Sequence, residues 1–208
     1  MNLKNYYWYF KSVIPERICD DIVKYGHQLQ DQMALTGGYD PNKKLNKKET
    51  KDLKKKRDSN IVWMNDRWIY NEIQPYIHKA NANANWNFEW DFSEACQFTK
   101  YKKGQYYDWH CDSWEEAYNR PNTPSHGKIR KLSVTVTLSD PKDYKGGELE
   151  FDFRNQDPDK KKNVKKCTEI LPKGSLVVFP GFVWHRVCPV KSGERNSLVI
   201  WNLGWPYK

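Results

Sequence analysis

A histidine and an aspartate two residues apart, His110 and Asp112, are residues whose types and spacing suggest metal chemistry. On a β-strand, side chains at positions i and i+2 point to the same face. The imidazole nitrogen and the carboxylate oxygen can then bind one metal ion as neighbouring ligands. Such a pair also arises by chance at a surface or a strand end, so it indicates a metal site only when further ligands accompany it.

A further histidine, His185, supplies a candidate third ligand. It follows a predicted strand (175–179) and a Pro180-Gly181 turn, which places its imidazole at the rim of the sheet. Two histidines and one carboxylate form a facial triad, which leaves three positions open on an octahedral iron. Zinc favours a closed tetrahedral site, and the sequence shows no fourth histidine or cysteine at a suitable spacing.

Arg195 lies ten residues after His185 and opens a predicted apolar strand behind a Ser192-Gly193 turn. An arginine that pointed into a pocket from such a strand would be costly to bury without an anion. A dicarboxylate would supply that anion through a paired N–H···O contact that lysine does not reproduce. A surface arginine at a hairpin end is the alternative, and the residues alone leave both interpretations open.

Three blocks of residues occur in order between residues 95 and 205. They are Tyr101-x-x-Gly104-Gln105-x-Tyr107-x-x-His110-x-Asp112, then Arg130-Lys131-Leu132-Ser133 with Pro141-x-Asp143-Tyr144-x-Gly146-Gly147-Glu148-Leu149, and finally His185-Arg186-Val187-x-Pro189-Val190-x-x-Gly193-x-Arg195-x-Ser197. Together they resemble the prolyl 4-hydroxylase-like 2-oxoglutarate/iron(II) oxygenases. The most similar subgroup is the bacterial and phage-type hydroxylases, which carry arginine where some animal and plant prolyl hydroxylases carry lysine.

The resemblance implies a double-stranded β-helix, or jelly roll, with iron at one open end. His110, Asp112 and His185 match the metal ligands of the family, and no other catalytic side chain is expected. The implied cofactors are Fe(II), 2-oxoglutarate and O2, with ascorbate as a further candidate. The implied reaction couples oxidative decarboxylation of 2-oxoglutarate, to succinate and CO2, to hydroxylation of a substrate.

The same resemblance implies which residues bind the co-substrate. Arg195 matches the basic residue that pairs with the distal carboxylate of 2-oxoglutarate, and Ser197 would assist it. Tyr101 matches a tyrosine that often hydrogen-bonds the same molecule. Some relatives carry a further tyrosine where this chain offers only threonine, so Thr137 is the expected contact there.

The expected substrate is a prolyl residue in a peptide or protein. Aromatic residues next to the site elements are candidate substrate contacts, although core packing is the simpler role for each of them. These candidates are Tyr107, Trp114, Trp184 and Trp201.

An oxygenase that acts on another substrate, such as a nucleic-acid base or a small molecule, is an alternative, and the charge distribution leaves nucleic acid open. Nine basic and two acidic residues lie between Lys43 and Arg57, so this segment carries +7 of the formal net charge of +9. Such a run attracts nucleic acid or another acidic partner, whereas the simpler interpretation is a solvated surface loop. Against this alternative, the AlkB-type demethylases carry a second arginine where this chain has Trp201. A non-catalytic jelly-roll binding module is a third hypothesis, and it leaves the joint presence of all the ligands unexplained.

We expect the elements that position these residues to form one mostly β domain over residues 1–208. Residues 1–85 are expected to form a helical support with a Lys-rich loop over 36–60, and residues 86–208 the jelly-roll core. One helix is predicted to begin at Pro15, and a second at a capping Asp66, with Pro75 kinking or shortening it. The predicted strands are 86–91, 95–101, 106–111, 130–138, 147–153, 167–171, 175–179, 184–189 and 196–203.

Composition excludes other classes of protein. The mean hydropathy is −0.96, and no apolar run approaches the ~18 residues of a membrane-spanning helix. The N-terminal residues show neither the apolar core nor the cleavage site of a signal peptide. The five cysteines are odd in number and form no C-x-x-C pair, which favours a reducing, cytoplasmic location. The oligomeric state is left open.

Overall fold

The computed structural model describes residues 5–36, 39, 43–113, 116–153 and 164–207. Its helices are α1 (Glu16–Gln28), α2 (Lys47–Lys56) and α3 (Arg67–Asn83), with a short 3-10 helix at Thr168–Ile170. Its strands are β1 (Trp8–Phe10), β2 (Gln32–Met33), β3 (Arg57–Asp58), β4 (Asn60–Met64), β5 (Phe92–Ser93), β6 (Cys96–Tyr101), β7 (Tyr106–His110), β8 (Ile129–Thr137), β9 (Tyr144–Gly146), β10 (Leu149–Asp152), β11 (Val164–Lys166), β12 (Leu176–Pro180), β13 (Trp184–Val187), β14 (Val190–Gly193) and β15 (Arg195–Gly204).

Two antiparallel sheets form the body of the protein. The large sheet has the strand order β1-β12-β8-β15-β6-β4-β2, and β5 also pairs with β15. The small sheet has the order β11-β10-β13-β7-β3, and β9 and β14 form a separate pair. Apolar residues of both sheets pack in one buried cluster between them, which includes Tyr101 and Phe179 of the large sheet and Phe151 of the small one. This mostly β architecture of facing sheets is the predicted jelly roll.

The large sheet is buried on both faces, and its two faces differ in character. On β8 the residues Leu132, Val134 and Val136 point outward and pack with Ile22 of α1 and Ile73 of α3. The alternate residues of β8 point inward because successive strand side chains take opposite faces. Those inward residues are the hydroxyl-bearing Ser133, Thr135 and Thr137, all buried. The interior of the jelly roll is therefore polar along β8.

The prediction of a loop over residues 36–60 was wrong, because this segment contains α2 and β3. The helix begins with a capping box: the Asn46 side chain accepts from the Glu49 backbone N–H, and the Glu49 carboxylate accepts from the Asn46 N–H. Leu53 is fully buried and anchors the helix, and six of the other nine positions are lysine, which is a good helix former. The four strands β1 to β4 also show that residues 1–85 contribute to the sheets as well as to the helices.

Three other predicted elements differ from the structure. Residues 86–91 form no strand, because Asn85 and Asn87 adopt left-handed backbone conformations, with φ of 58° and 52°, that turn the chain before β5. The predicted strand at 167–171 is the 3-10 helix. Helix α3 follows Asp66 but is not shortened at Pro75, since it continues to Asn83. None of the helices within the described residues is long and apolar enough to cross a membrane.

Candidate active site

The structure brings the three predicted metal ligands together at one end of the jelly roll. His110 ends β7, His185 lies on β13, and the two residues are directly paired across these strands. The Nε2 atom of His185 lies 3.5 Å from Oδ2 of Asp112, and Nε2 of His110 lies 3.9 Å from Oδ1. One ligand atom from each of the three residues lies within 4.8 Å of the other two.

Asp112 reaches this cluster from a loop, so the predicted strand over 106–111 was one residue too long. Strand β7 ends at His110, and the backbone N–H groups of Asp112 and Ser113 both donate to the carbonyl of Gly181 at 2.9 Å. The turn after β12 therefore holds the aspartate in place. Cys111 is half-buried and lines the cavity beside the cluster.

An irregularity in the small sheet sets the direction of the His110 side chain. Pairing runs from His185–His110 to Val187–Tyr107, so β7 has one more residue than β13 between these pairs. A bulge of this kind re-aims side chains. Tyr107 and His110, three residues apart, consequently share a face, with ring centroids 3.5 Å apart and planes 13° apart.

The donor set of this cluster fits a divalent metal ion. Nδ1 of His110 lies 2.7 Å from the carbonyl oxygen of Asp108, and Nδ1 of His185 lies 2.9 Å from that of Val183. A carbonyl oxygen only accepts, so each Nδ1 carries the hydrogen and each Nε2 keeps its lone pair for a metal. Backbone carbonyls thus fix the tautomer that a ligand requires.

The ionisation states of the cluster also suit metal binding. Burial, with the neighbouring His185, lowers the pKa of His110 to about 3, so this imidazole is neutral at pH 7. Burial alone would raise the pKa of Asp112, but His185 and His110, with help from Arg130 and the Ser133 hydrogen bond, hold it at about 2. One ionised carboxylate and one neutral imidazole therefore face each other before any metal binds.

Arg195 lies deep between the sheets, with 2% of its surface exposed. Its Nη1 donates to the Ser197 hydroxyl at 3.2 Å, and its guanidinium centre lies 5.5 Å from the Tyr101 ring. Among the described residues, no carboxylate forms an ion pair with Arg195. A buried cation without an acidic partner is costly unless an anion accompanies it. The alternative of a surface arginine at a hairpin end is therefore wrong.

The other predicted co-substrate residues surround this guanidinium. Arg195 pairs with Tyr101 across β15 and β6, and Ser197 pairs with Thr137 across β15 and β8. Tyr101, Ser197 and Thr137 are all buried. Gly147 packs so tightly here that an added Cβ would lie 2.8 Å from Cδ of Arg195. These buried residues are therefore neighbours of Arg195 on adjoining strands of the large sheet.

A cavity of about 1290 Å³ opens beside the metal cluster, and His110, Asp112, Tyr107, Trp184 and Trp201 line it. These three aromatic residues therefore lie where the predicted substrate contacts should be. The fourth candidate, Trp114, lies outside the described residues.

Trp201 forms a flat wall of this cavity. The guanidinium of Arg130 lies 3.8 Å from the Trp201 ring, and Glu94 holds Arg130 through a 2.6 Å ion pair. Trp63, which is 44% exposed, lies with its ring 6.2 Å from that of Trp201. The cavity entrance thus combines exposed and buried indole rings with a fixed ion pair.

Arg57 is a cavity residue that the sequence analysis assigned to a basic surface run. It is 3% exposed, and its guanidinium lies 4.4 Å from the ring of Tyr107. Its Nε donates to Ser59 at 3.0 Å and its Nη1 to the carbonyl of Leu35 at 3.4 Å, while Nη2 has no partner among the described atoms. Arg57 alternates with Ser59 and Ile61, and all three are buried, which places the arginine on an inward face. Because only Ile61 of the three is apolar, no alternating apolar pattern marks that face in the sequence.

The fold and the donor set together define a jelly-roll protein with a facial-triad metal centre. The family model of the 2OG-Fe(II) oxygenase superfamily matches residues 96–202, which span the three ligands and Arg195. The chain belongs to this superfamily.

Curated relatives carry the name PKHD-type hydroxylase. The chain is 36% identical over 105 residues to the protein of Shewanella sp. (strain ANA-3). This match covers 50% of this chain and 40% of that protein. It is 37% identical over 101 residues to the protein of Pseudomonas fluorescens, which covers 49% of this chain and 39% of that protein. The matched segment thus spans about two fifths of the length of these relatives.

Solved structures with the same fold include two prolyl hydroxylases. The viral collagen prolyl hydroxylase of Paramecium Bursaria Chlorella virus-1, in a 2OG complex, superposes with a TM-score of 0.63, 20% identity and coverage of 97% of both chains. A Pseudomonas putida prolyl-4-hydroxylase gives a TM-score of 0.61 and 17% identity, and covers 96% of this chain and 92% of that one. At these identities the likeness establishes the fold, and it confirms the predicted jelly roll.

Proposed function

We propose that this chain is an iron(II)- and 2-oxoglutarate-dependent dioxygenase that hydroxylates prolyl residues in a peptide or protein. The observation that carries the proposal is the joint presence, in the interior of one jelly roll, of the metal cluster and of Arg195, which is buried without an acidic partner among the described residues. A metal cluster alone would fit many hydrolytic sites. A buried cation that an anionic co-substrate would neutralise fits a site that consumes 2-oxoglutarate.

His110, Asp112 and His185 would hold the Fe(II), which supplies the oxidation chemistry with O2 when it is bound. The protein's own part is binding and orientation. Arg195 and Ser197 would bind the distal carboxylate of 2-oxoglutarate. The buried position of this pocket would keep water away from the co-substrate.

The cavity beside the cluster supports a peptide substrate. The indole of Trp201 and the ring of Tyr107 offer flat apolar faces of the kind that a pyrrolidine ring packs against. Arg57 lines the same cavity and brings a guanidinium, a hydrogen-bond donor group, to its wall. Names of similar proteins support the same substrate class: one structural neighbour, from Trichoplax adhaerens, is a prolyl hydroxylase in complex with a peptide fragment of hypoxia inducible factor.

A succinate-release assay tests the proposal. The protein is supplied with Fe(II), 2-oxoglutarate and O2, with and without ascorbate, and with a panel of proline-containing peptides and their Pro→Ala counterparts. We expect one or more peptides to stimulate succinate release and to gain one oxygen atom by mass spectrometry, whereas the alanine counterparts stay unmodified. The His185→Ala variant is the matched inactive control.

Two outcomes would contradict the proposal. If an oligonucleotide is oxidised and no peptide is, the substrate is a nucleic acid. If the protein shows no iron-dependent O2 uptake, it is a non-catalytic binding module.

A further inference from the structure

Helix α2 presents a strongly basic surface that the proposed chemistry does not use. Its ten residues include six lysines, all exposed, and its one fully buried residue is Leu53. Lys43 and Lys44, just before the helix, are exposed as well. The cluster of Lys43, Lys44, Lys47, Lys48, Lys51, Lys54, Lys55 and Lys56 is called the lysine face below.

Only part of this charge is neutralised within the protein. Ion pairs join Lys43 to Glu49 at 3.6 Å, Lys54 to Asp58 at 3.7 Å and Lys55 to Asp52 at 2.7 Å. The other five members of the lysine face form no ion pair within the part of the chain that the structure describes: Lys44, Lys47, Lys48, Lys51 and Lys56. The face therefore keeps an excess of positive charge.

The helix dipole explains the positions of only some of these lysines. Cations near the C-terminal end of a helix interact favourably with the helix dipole, which accounts for Lys54, Lys55 and Lys56. Lys47 and Lys48 lie in the first turn, where the dipole disfavours cations. The helix dipole therefore does not account for these two lysines.

The lysine face leads directly to the cavity. Lys56 lines the cavity together with Arg57, and so do the metal ligands His110 and Asp112. The Tyr106 hydroxyl lies within 3.0 Å of the carbonyls of Lys54 and Lys55, which ties the end of α2 to the strand that carries His110. A chain that occupies the cavity can thus continue along α2.

We propose that the lysine face binds acidic side chains that flank the hydroxylated residue of a polypeptide substrate. This inference rests on the proposed function. A helix of ten residues is about 15 Å long, and an extended peptide advances about 3.3 Å per residue. The length of the lysine face therefore matches roughly five residues of an extended peptide. We expect the acidic residues of the substrate within that distance of the hydroxylated residue.

The composition of α2 favours an acidic peptide over a nucleic acid. Proteins that bind single strands without sequence preference combine basic residues with aromatic rings on which the bases stack. Helix α2 reads KKETKDLKKK and contains no aromatic residue and no arginine.

Fluorescence anisotropy with two labelled peptides tests this inference. One peptide has a central proline followed by four aspartates, and the other has asparagine at those four positions. The Lys47→Glu/Lys51→Glu variant reverses two charges on the lysine face. The Lys24→Glu/Lys79→Glu variant makes the same change in net charge on α1 and α3, which pack against the outer face of the large sheet.

We expect the unaltered protein to bind the aspartate peptide roughly tenfold more tightly than the asparagine peptide at low salt, because each exposed ion pair contributes up to about fivefold. The preference should shrink as salt is added. It should be lost in Lys47→Glu/Lys51→Glu and kept in Lys24→Glu/Lys79→Glu. Equal affinity for both peptides, or equal loss in both variants, would overturn the inference.

Two further measurements separate this inference from the proposed function. If several proline peptides support succinate release at rates that do not depend on acidic flanks, the enzymatic proposal stands and the lysine face has no role in substrate choice. If the aspartate peptide binds with the predicted preference but no peptide is hydroxylated, the docking surface stands and the proposed function fails. A labelled single-stranded RNA supplies the last comparison. If it binds more tightly than the aspartate peptide and binds less tightly to the Lys47→Glu/Lys51→Glu variant, the partner of the lysine face is a nucleic acid and not an acidic peptide.

Discussion

The hydroxyl of Ser133 donates a 2.7 Å hydrogen bond to Oδ2 of Asp112. Ser133 lies on β8 of the large sheet, whereas Asp112 follows the end of β7 in the small sheet. The bond therefore crosses the interior of the jelly roll and orients the one metal ligand that no strand holds. Its donor comes from the hydroxyl-lined inner face of β8, next to Thr135 and Thr137.

The Ser133→Ala variant tests whether this bond supports metal binding. We expect Fe(II) affinity to fall about 10- to 100-fold, because partners that orient a metal ligand contribute that much. The measurement is an anaerobic metal titration, with Co(II) as a spectroscopic probe. Ser133→Thr keeps a hydroxyl and should keep most of the affinity. Equal losses in both variants would mean that packing, and not the hydrogen bond, matters at this position.

His110→Ala and Asp112→Ala should each abolish 2-oxoglutarate turnover, since two remaining protein ligands leave the metal weakly held. Treatment of the unaltered protein with a chelator should have the same effect, and added Fe(II) should restore activity. His126→Ala is the control, because His126 is exposed in a loop. Unchanged 2-oxoglutarate consumption in His110→Ala would disprove the assignment of the ligands.

Arg195→Ala should weaken the binding of 2-oxoglutarate more than it alters the metal site. The expected rise in KM for 2-oxoglutarate is at least tenfold, since hydrogen bonds to charged groups contribute about 1.5–3 kcal/mol each. Arg195→Lys should give an intermediate value because lysine lacks the paired donors. Thermal stabilisation by 2-oxoglutarate supplies a second measurement. Arg17, exposed on α1, serves for a matched Arg→Ala control, and similar KM changes in both variants would contradict the pocket.

Much of the site could be predicted from the sequence, because its signals are local or follow strand alternation. His110-x-Asp112, His185 and Arg195 are recognisable by type and spacing, and the inward alternation on β15 places Arg195 and Ser197 on one face. The route by which Asp112 reaches the site was not predictable in this way. It depends on the turn at Gly181, which lies about 70 residues away in the sequence.

Helix α2 and the bulge in β7 were not predicted from the sequence, for different reasons. Helix α2 had a local signal, the Asn46–Glu49 capping box, and the high lysine content concealed it. The bulge that turns Tyr107 toward His110 has no such local signal, because it depends on the pairing of β7 with β13. The burial of Arg57 likewise depends on distant parts of the chain, because Tyr107 and Leu35 supply its surroundings.

Gly147→Ala should impair co-substrate binding without removing any donor. Gly147 has a φ of +66°, and its added Cβ would lie 2.8 Å from Cδ of Arg195 and 3.0 Å from Cγ2 of Val190. The alanine therefore strains the backbone and pushes the arginine. We expect a higher KM for 2-oxoglutarate and a lower melting temperature. Gly104→Ala, also at positive φ but with open space around it, is the control for backbone strain alone. A KM that changes equally in both variants would exclude displacement of Arg195.

Arg57→Ala should affect the polypeptide substrate more than the co-substrate. The guanidinium covers the face of Tyr107, whose ring stacks on His110, and Arg57 lines the cavity that we assign to the peptide. We expect the KM for a proline peptide to rise roughly tenfold, because about one charge-assisted hydrogen bond to the peptide would be lost. Arg57→Lys keeps the charge but loses the planar fork that covers the ring. The ratio of the two KM values decides the role: a larger rise for the peptide indicates substrate binding. Equal rises for peptide and 2-oxoglutarate would indicate that Arg57 only supports Tyr107 and His110.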